Sequence, residues 1–138
     1  MSALLTIVTG ATLLTVVGIA FGGTFLLRIN TGARGANALQ KTFFRAGHAH
    51  AGVLVTLGLV VALVTTAAGV SDVWATVASI AVLSAAIFIP AGFFLSVLGS
   101  DPQKPGRAMA SVWVGAATLT AGLVVAGVST VAAGVGAL

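Results

Sequence analysis

Four long apolar runs, separated by three polar breaks, dominate the pattern of this chain. The runs cover residues 3–27, 43–68, 73–98 and 108–135. A helix rises about 1.5 Å per residue, so about 20 apolar residues cross the hydrocarbon core of a bilayer. Each run is long enough to do so. The sequence therefore predicts a single transmembrane domain over residues 1–138, an all-α four-helix bundle with up-down-up-down topology.

The break between the second and third runs is only four residues long, from Gly69 to Asp72. Gly69 stands where a left-handed residue commonly ends a helix. Ser71 and Asp72 are both suited to cap the helix that follows. Because the connection is so short, we expect the second and third helices to be adjacent and antiparallel.

Composition supports a membrane protein. Hydrophobic residues make up 59% of the chain and charged residues only 6%, whereas roughly a quarter of the residues in a soluble domain are charged. There is no cysteine, which excludes disulfides and thiolate metal ligands. The two carboxylates, Asp72 and Asp101, lie in polar breaks. We expect them to cap the third helix and to pair with Lys104 or Arg107, which argues against acid–base catalysis within the membrane.

Positive charge is confined to two of the three breaks. All six bases lie in or beside residues 28–42 and 99–107, and they are Arg28, Arg34, Lys41, Arg45, Lys104 and Arg107. Bases next to membrane spans are retained on the cytoplasmic side. This predicts a protein of the cell membrane with both basic loops in the cytoplasm and both termini outside. No basic face with interleaved aromatic residues is present, so nucleic acid is not an expected partner.

The only candidates for chemistry are His48 and His50. If the second helix begins near Phe43, they lie one to two turns inside it. Residues two apart on a helix point about 200° apart, so the pair can share one metal ion only if Gly47 breaks the helix. Arg45 precedes His48 by three residues and lies on a neighbouring face of the helix, so its positive charge would repel a protonated His48.

Two interpretations of the histidines stay open. In the first, they are interfacial side chains that donate hydrogen bonds to helix carbonyls or to lipid headgroups. In the second, His48 or His50 binds a cofactor, most simply a haem, because imidazole is a common axial ligand and bundles hold cofactors between their helices. Ionisable residues at membrane depth are functional candidates by default.

Small residues suggest where the helices pack. Pro90 interrupts the third run and is expected to kink its helix. We expect the second helix to pack against Gly92 and its neighbours at this kink through Gly47, Ala51 or Gly52. In the fourth run small residues recur every seven positions, at Ala108, Gly115, Gly122, Ser129 and Gly136. So many residues there are small that this spacing predicts ordinary helix packing and nothing more.

Two segments, Phe43–Gly52 and Pro90–Ser96, resemble an uncharacterised family of small four-span bacterial integral membrane proteins. The resemblance implies the four-span fold and brings no activity with it. The sequence favours a non-catalytic accessory or scaffold subunit of a membrane assembly, with the lipid bilayer and other membrane subunits or a second copy as partners. The alternative is a haem- or metal-binding redox protein that uses His48 or His50. A small transporter or channel is a weaker alternative, because no charged residue lines the bundle centre.

Overall fold

The computed structural model describes the whole chain, Met1–Leu138. It consists of four long helices and one short 3-10 turn, Arg107–Met109, that leads into the last of them. The helices are α1 (Ala3–Asn30), α2 (Ala38–Ala67), α3 (Asp72–Leu95) and α4 (Ala110–Val135). All four are long and apolar enough to cross a bilayer. The predicted all-α four-helix bundle is confirmed, and the chain is a multi-pass membrane protein.

Contacts between the connections establish the up-down-up-down arrangement. At one end of the bundle, the hydroxyl oxygens of Ser2 and Thr76 lie 3.3 Å apart, so the start of α1 lies beside the start of α3. At the other end, the Asn37 amide donates to Asp101 Oδ1 and to the carbonyl of Pro102, both at 2.8 Å. The first and third connections therefore meet. We call this end, residues 28–45 and 99–107, the basic end because it holds all six lysines and arginines.

The second helix begins at Ala38, five residues before the predicted start at Phe43. The side chain of Asn37 accepts from the Gln40 backbone N–H at 2.9 Å, and the Gln40 side chain accepts from the Asn37 N–H at 3.0 Å. This reciprocal pair is a capping box. It places His48 ten residues beyond Ala38, roughly 15 Å along the helix, and not in the first turns as predicted.

The third helix ends at Leu95, three residues before the predicted end at Leu98. Beyond it, the buried Gln40 amide donates to the carbonyls of Val97 and Gly99 at 3.1 and 3.0 Å. These bonds hold the chain beyond Leu95 against α2, and the helix does not continue. Gly69 behaves as predicted, with a left-handed φ of +74° just beyond the end of α2.

Glycines bring α3 and α4 close together. A Cβ on Gly122 would lie 2.9 Å from both the carbonyl oxygen of Ala78 and the backbone nitrogen of Val82. A Cβ on Gly115 would lie 3.0 Å from the backbone nitrogen of Ile89. Gly115 and Gly122, two of the five residues that recur every seven positions, thus form close backbone contacts with α3. This packing is closer than the ordinary packing we expected. Gly136, the last of the five, is exposed.

The first helix is buried at only three positions, Leu5, Thr12 and Ile29. Leu5 is buried with Ala62 and Ala75 at one end, and Ile29 is buried against Phe44 at the basic end. Between Thr12 and the contact of Gly22 and Gly23 with His48, residues 13–18 are all exposed. No Cα of α1 lies within 8 Å of a Cα of α4. Helices α2, α3 and α4 therefore form the packed part of the bundle, with α1 added along α2.

Candidate functional site

The two histidines have different surroundings. His50 is exposed, and its Nδ1 lies 2.7 Å from the carbonyl oxygen of Ala46. Because a carbonyl only accepts, Nδ1–H is the donor. The ring centroid of His50 lies 5.1 Å from that of Phe93, with the planes tilted by 30°. This geometry matches a side chain that bonds its own helix and packs on a neighbouring one.

His48 faces α1 and makes no such bond. It is half-buried. A Cβ on Gly22 would lie 3.6 Å from its Nδ1, and a Cβ on Gly23 would lie 3.7 Å from its Nε2. Neither ring nitrogen has a hydrogen-bond partner within the protein, in contrast to His50. His48 is therefore the histidine whose nitrogens have no hydrogen-bond partner in the chain, and its ring packs against Gly22 and Gly23 of α1.

A metal ion shared by the two histidines does not fit the structure. The prediction required Gly47 to break the helix, but α2 runs without interruption from Ala38 to Ala67. Gly47 is buried because it packs against α3, where a Cβ would lie 2.8 Å from Phe94 Cε2. The structure contains no cluster of three or more His, Cys, Asp or Glu side chains placed to hold a metal ion.

The predicted contact at Pro90 is correct in part. Helix α2 does meet the end of α3 through Gly47, whose Cβ would lie 3.2 Å from that of Phe93. Gly52 does not take part, since no atom lies within 4 Å of its Cβ position. Gly92 faces α4 instead of α2, and its Cβ would lie 2.9 Å from the backbone nitrogen of Val112. The expectation for Gly52 and Gly92 was wrong because the segment around Pro90 is covered by α4.

A hydrogen bond from α4 also reaches the segment around Pro90. The hydroxyl of Ser111 donates to the carbonyl oxygen of Phe88 at 2.7 Å. Pro90 itself is buried within α3. A polar side chain of one spanning helix thus bonds a backbone carbonyl of its neighbour, as is common inside membranes.

The charged side chains make fewer ion pairs than expected. Asp101 accepts from Asn37 and does not pair with Lys104 or Arg107. The only ion pair within 4.0 Å joins the terminal ammonium of Met1 to Asp72 at 3.6 Å. Arg45 is exposed and donates from Nε to the carbonyl of Lys41 at 3.2 Å. The basic end therefore keeps most of its positive charge uncompensated.

An aromatic cavity at the basic end was missed by the sequence analysis. Its volume is about 390 Å³. Ile29, Gln40 and Phe44 form its buried floor. The remaining lining residues are half-buried or exposed, and they are Phe25, Arg34, Gly35, Phe94, Leu98 and Gly99.

Three phenylalanine rings from three helices shape this aromatic cavity. The ring of Phe44 stacks on Phe94 with centroids 5.6 Å apart, and it meets Phe25 edge to face at 5.4 Å. The guanidinium carbon of Arg34 lies 5.0 Å from the centroid of Phe25. Because these residues are far apart in the chain, no local spacing of residues predicts the cavity. The one feature of the sequence that could have indicated it is that Phe25 and Arg34 lie beside the same loop.

No protein-family model, characterised protein or solved structure matches this chain. The interpretation of its sites therefore rests on their geometry.

Proposed function

We propose that this protein is a non-catalytic accessory or scaffold subunit of a membrane assembly, and that α1 is its contact with the partner. The supporting observation is that residues 13–18 of α1 are all exposed. Six consecutive helical residues cover about 1.7 turns and hence every direction around the helix. Over this segment no face of α1 is fully buried, and the most covered of its large apolar side chains, Val16, is still 41% exposed. Much of the helix surface is therefore left to a second subunit.

Small residues on α1 favour a protein partner. Gly10 and Gly18 are exposed, and no atom lies within 4 Å of either Cβ position. In lipid, helices associate through close packing at small residues more than through hydrophobicity. A partner helix would therefore find positions on α1 where its backbone can approach closely.

Cross-linking tests this proposal. A photo-reactive residue is placed at Leu14 or Val17 of α1, and at Leu123 or Val128 of α4 as matched controls, all four of which are exposed. In native membranes, the α1 positions should give one discrete protein adduct. Its mass should correspond to two copies of the chain, or to one copy plus a membrane subunit that co-purifies at fixed stoichiometry. Adducts to lipid alone at all four positions would contradict the proposal.

The orientation in the membrane is part of the same proposal. All six bases lie at the basic end, which supports placing this end in the cytoplasm and both termini outside. A reporter active only outside the cytoplasm should be active when fused at Ser71 and inactive when fused at Gly35. The opposite pattern would reverse the orientation. Membership of the small four-span bacterial family fits this arrangement and stays a prediction.

A second candidate function, haem binding, is favoured by His48. Both of its ring nitrogens lack a partner within the protein, and imidazole is a common axial ligand. Gly22 and Gly23 face these nitrogens, so a haem would have to enter between α1 and α2. Protein purified from its native membrane should then show a Soret band that is lost in His48→Ala and kept in His50→Ala. A protein with no visible absorption would contradict haem binding and would not affect the proposal of an accessory or scaffold subunit.

A further inference from the structure

We infer that the aromatic cavity at the basic end is a binding site for an anionic phospholipid, with Arg34 as the cation that receives the headgroup phosphate. The cavity lies where α1 ends and α2 begins, between Ile29 and Gln40. The ends of spanning helices lie at the level of the lipid headgroups. The inference is independent of the proposed function.

Arg34 is held in place without having its charge neutralised. Its backbone N–H donates to the carbonyl of Arg28 at 3.0 Å, which fixes the loop. Its guanidinium lies over the face of Phe25, a cation–π contact that orients the side chain. The guanidinium makes no ion pair, since the only one within 4.0 Å lies at the opposite end of the bundle. An oriented guanidinium with free donors matches the bidentate recognition of phosphate.

The other polar groups of the cavity are already satisfied. Gln40 accepts from the Asn37 N–H, and its amide donates to Val97 and Gly99. The remaining lining residues are phenylalanine, isoleucine, leucine and glycine, whose side chains offer no donor. Arg34 is therefore the only free side-chain donor of the cavity.

The mixture of one cation and an apolar floor favours a lipid over a free anion. A hydrated inorganic phosphate would gain one contact from Arg34 and nothing from the floor formed by Ile29 and Phe44. A phospholipid places its phosphate on Arg34 and its glycerol and first acyl carbons against the rings. The six bases of this end are balanced locally only by Asp101, which favours a headgroup with net negative charge.

Native mass spectrometry of the purified full chain tests the site with phosphatidylglycerol. The variant Arg34→Gln should reduce the retained phosphatidylglycerol on the order of tenfold, the loss expected for a charge-assisted hydrogen bond. Arg28→Gln, an exposed base on the last turn of α1, is the matched control and should cause a clearly smaller loss. Phe25→Leu keeps every charge and should still reduce retention, because it removes the ring under Arg34.

Two further comparisons separate the possible ligands. Phosphatidylcholine carries the same phosphate together with a choline cation, so it should bind more weakly at this basic end. Arg34→Gln should still lower its retention, because Arg34 contacts the phosphate. Inorganic phosphate at millimolar concentration should not displace phosphatidylglycerol. Equal losses in Arg34→Gln and Arg28→Gln would show that only the general charge of the basic end attracts the lipid, and the site would be wrong. Full displacement by inorganic phosphate would assign the cavity to a free anion and would equally overturn the proposal.

Discussion

Helices α1 and α3 are equally apolar but are packed very differently. An 18-residue window of each has a mean hydropathy of 2.2, yet 11% of that window is buried in α1 and 39% in α3. Hydropathy measures transfer from water into lipid, and lipid tails are as apolar as leucine, so it provides no drive for helices to associate. Helix α3 packs because glycines of α2 and α4 face it, whereas Gly18 of α1 faces no other part of the chain.

The largest effect should come from filling the α3–α4 contact at Gly122. In Gly122→Leu the new side chain meets the backbone of Ala78 and Val82, which cannot move aside without separating the helices. We expect the free energy of unfolding to fall by about 3 kcal/mol, the upper part of the overpacking range. Equilibrium unfolding in detergent measures this change.

The matched control for that variant is Gly127→Leu, on the same helix at an exposed position with no atom within 4 Å. Its unfolding free energy should stay within about 0.5 kcal/mol of the original, as for other surface substitutions. Equal losses in the two variants would show that α4 is generally intolerant of large residues and that the glycine contact has no special role.

A smaller loss is expected for Gly47→Leu in the α2–α3 contact. The new side chain meets the ring of Phe94, which can rotate, so we expect a loss of about 1–2 kcal/mol. The same measurement on Gly52→Leu should show almost no change, because nothing lies near that position. A larger loss of unfolding free energy in Gly52→Leu than in Gly47→Leu would support the contact that the sequence predicted for Gly52.

The smallest effect concerns the hydrogen bond between α4 and α3 near Pro90. Ser111→Ala removes the donor to Phe88 and should lower the unfolding free energy by about 0.6 kcal/mol, the average for such bonds in membranes. Ser84→Ala serves as the control, since Ser84 bonds only Ile80 of its own helix. If both variants lose the same unfolding free energy, the hydrogen bond from Ser111 to α3 stabilises the bundle no more than the bond that Ser84 makes within its own helix.

The fold was predictable because the apolar runs are long and uninterrupted. The start of α2 was misplaced because Lys41 was assigned to a loop, although charged side chains near the end of a spanning helix can extend to the interface. The Asn37 and Gln40 capping box was a readable signal. The end of α3 was not readable, since it depends on Gln40 reaching Val97 and Gly99 from another helix.

The candidate site was predictable only as a pair of residues. Local spacing correctly placed His48 and His50 on different faces of α2. It contained no information on which face meets α1, because that depends on Gly22 and Gly23 of another helix. The same limit hid the aromatic cavity, whose rings come from α1, α2 and α3.

The most direct test of the difference between α1 and α3 is a pair of interhelical distance distributions. The chain has no cysteine, so spin labels can be attached at Val17 and Val53 for α1 and α2, and at Ile87 and Ala117 for α3 and α4, all of which are exposed. In the purified monomer in nanodiscs, we predict a broad distribution for the first pair and a narrow one for the second. Two equally narrow distributions would show that α1 is as firmly packed as the rest of the bundle and would contradict this account.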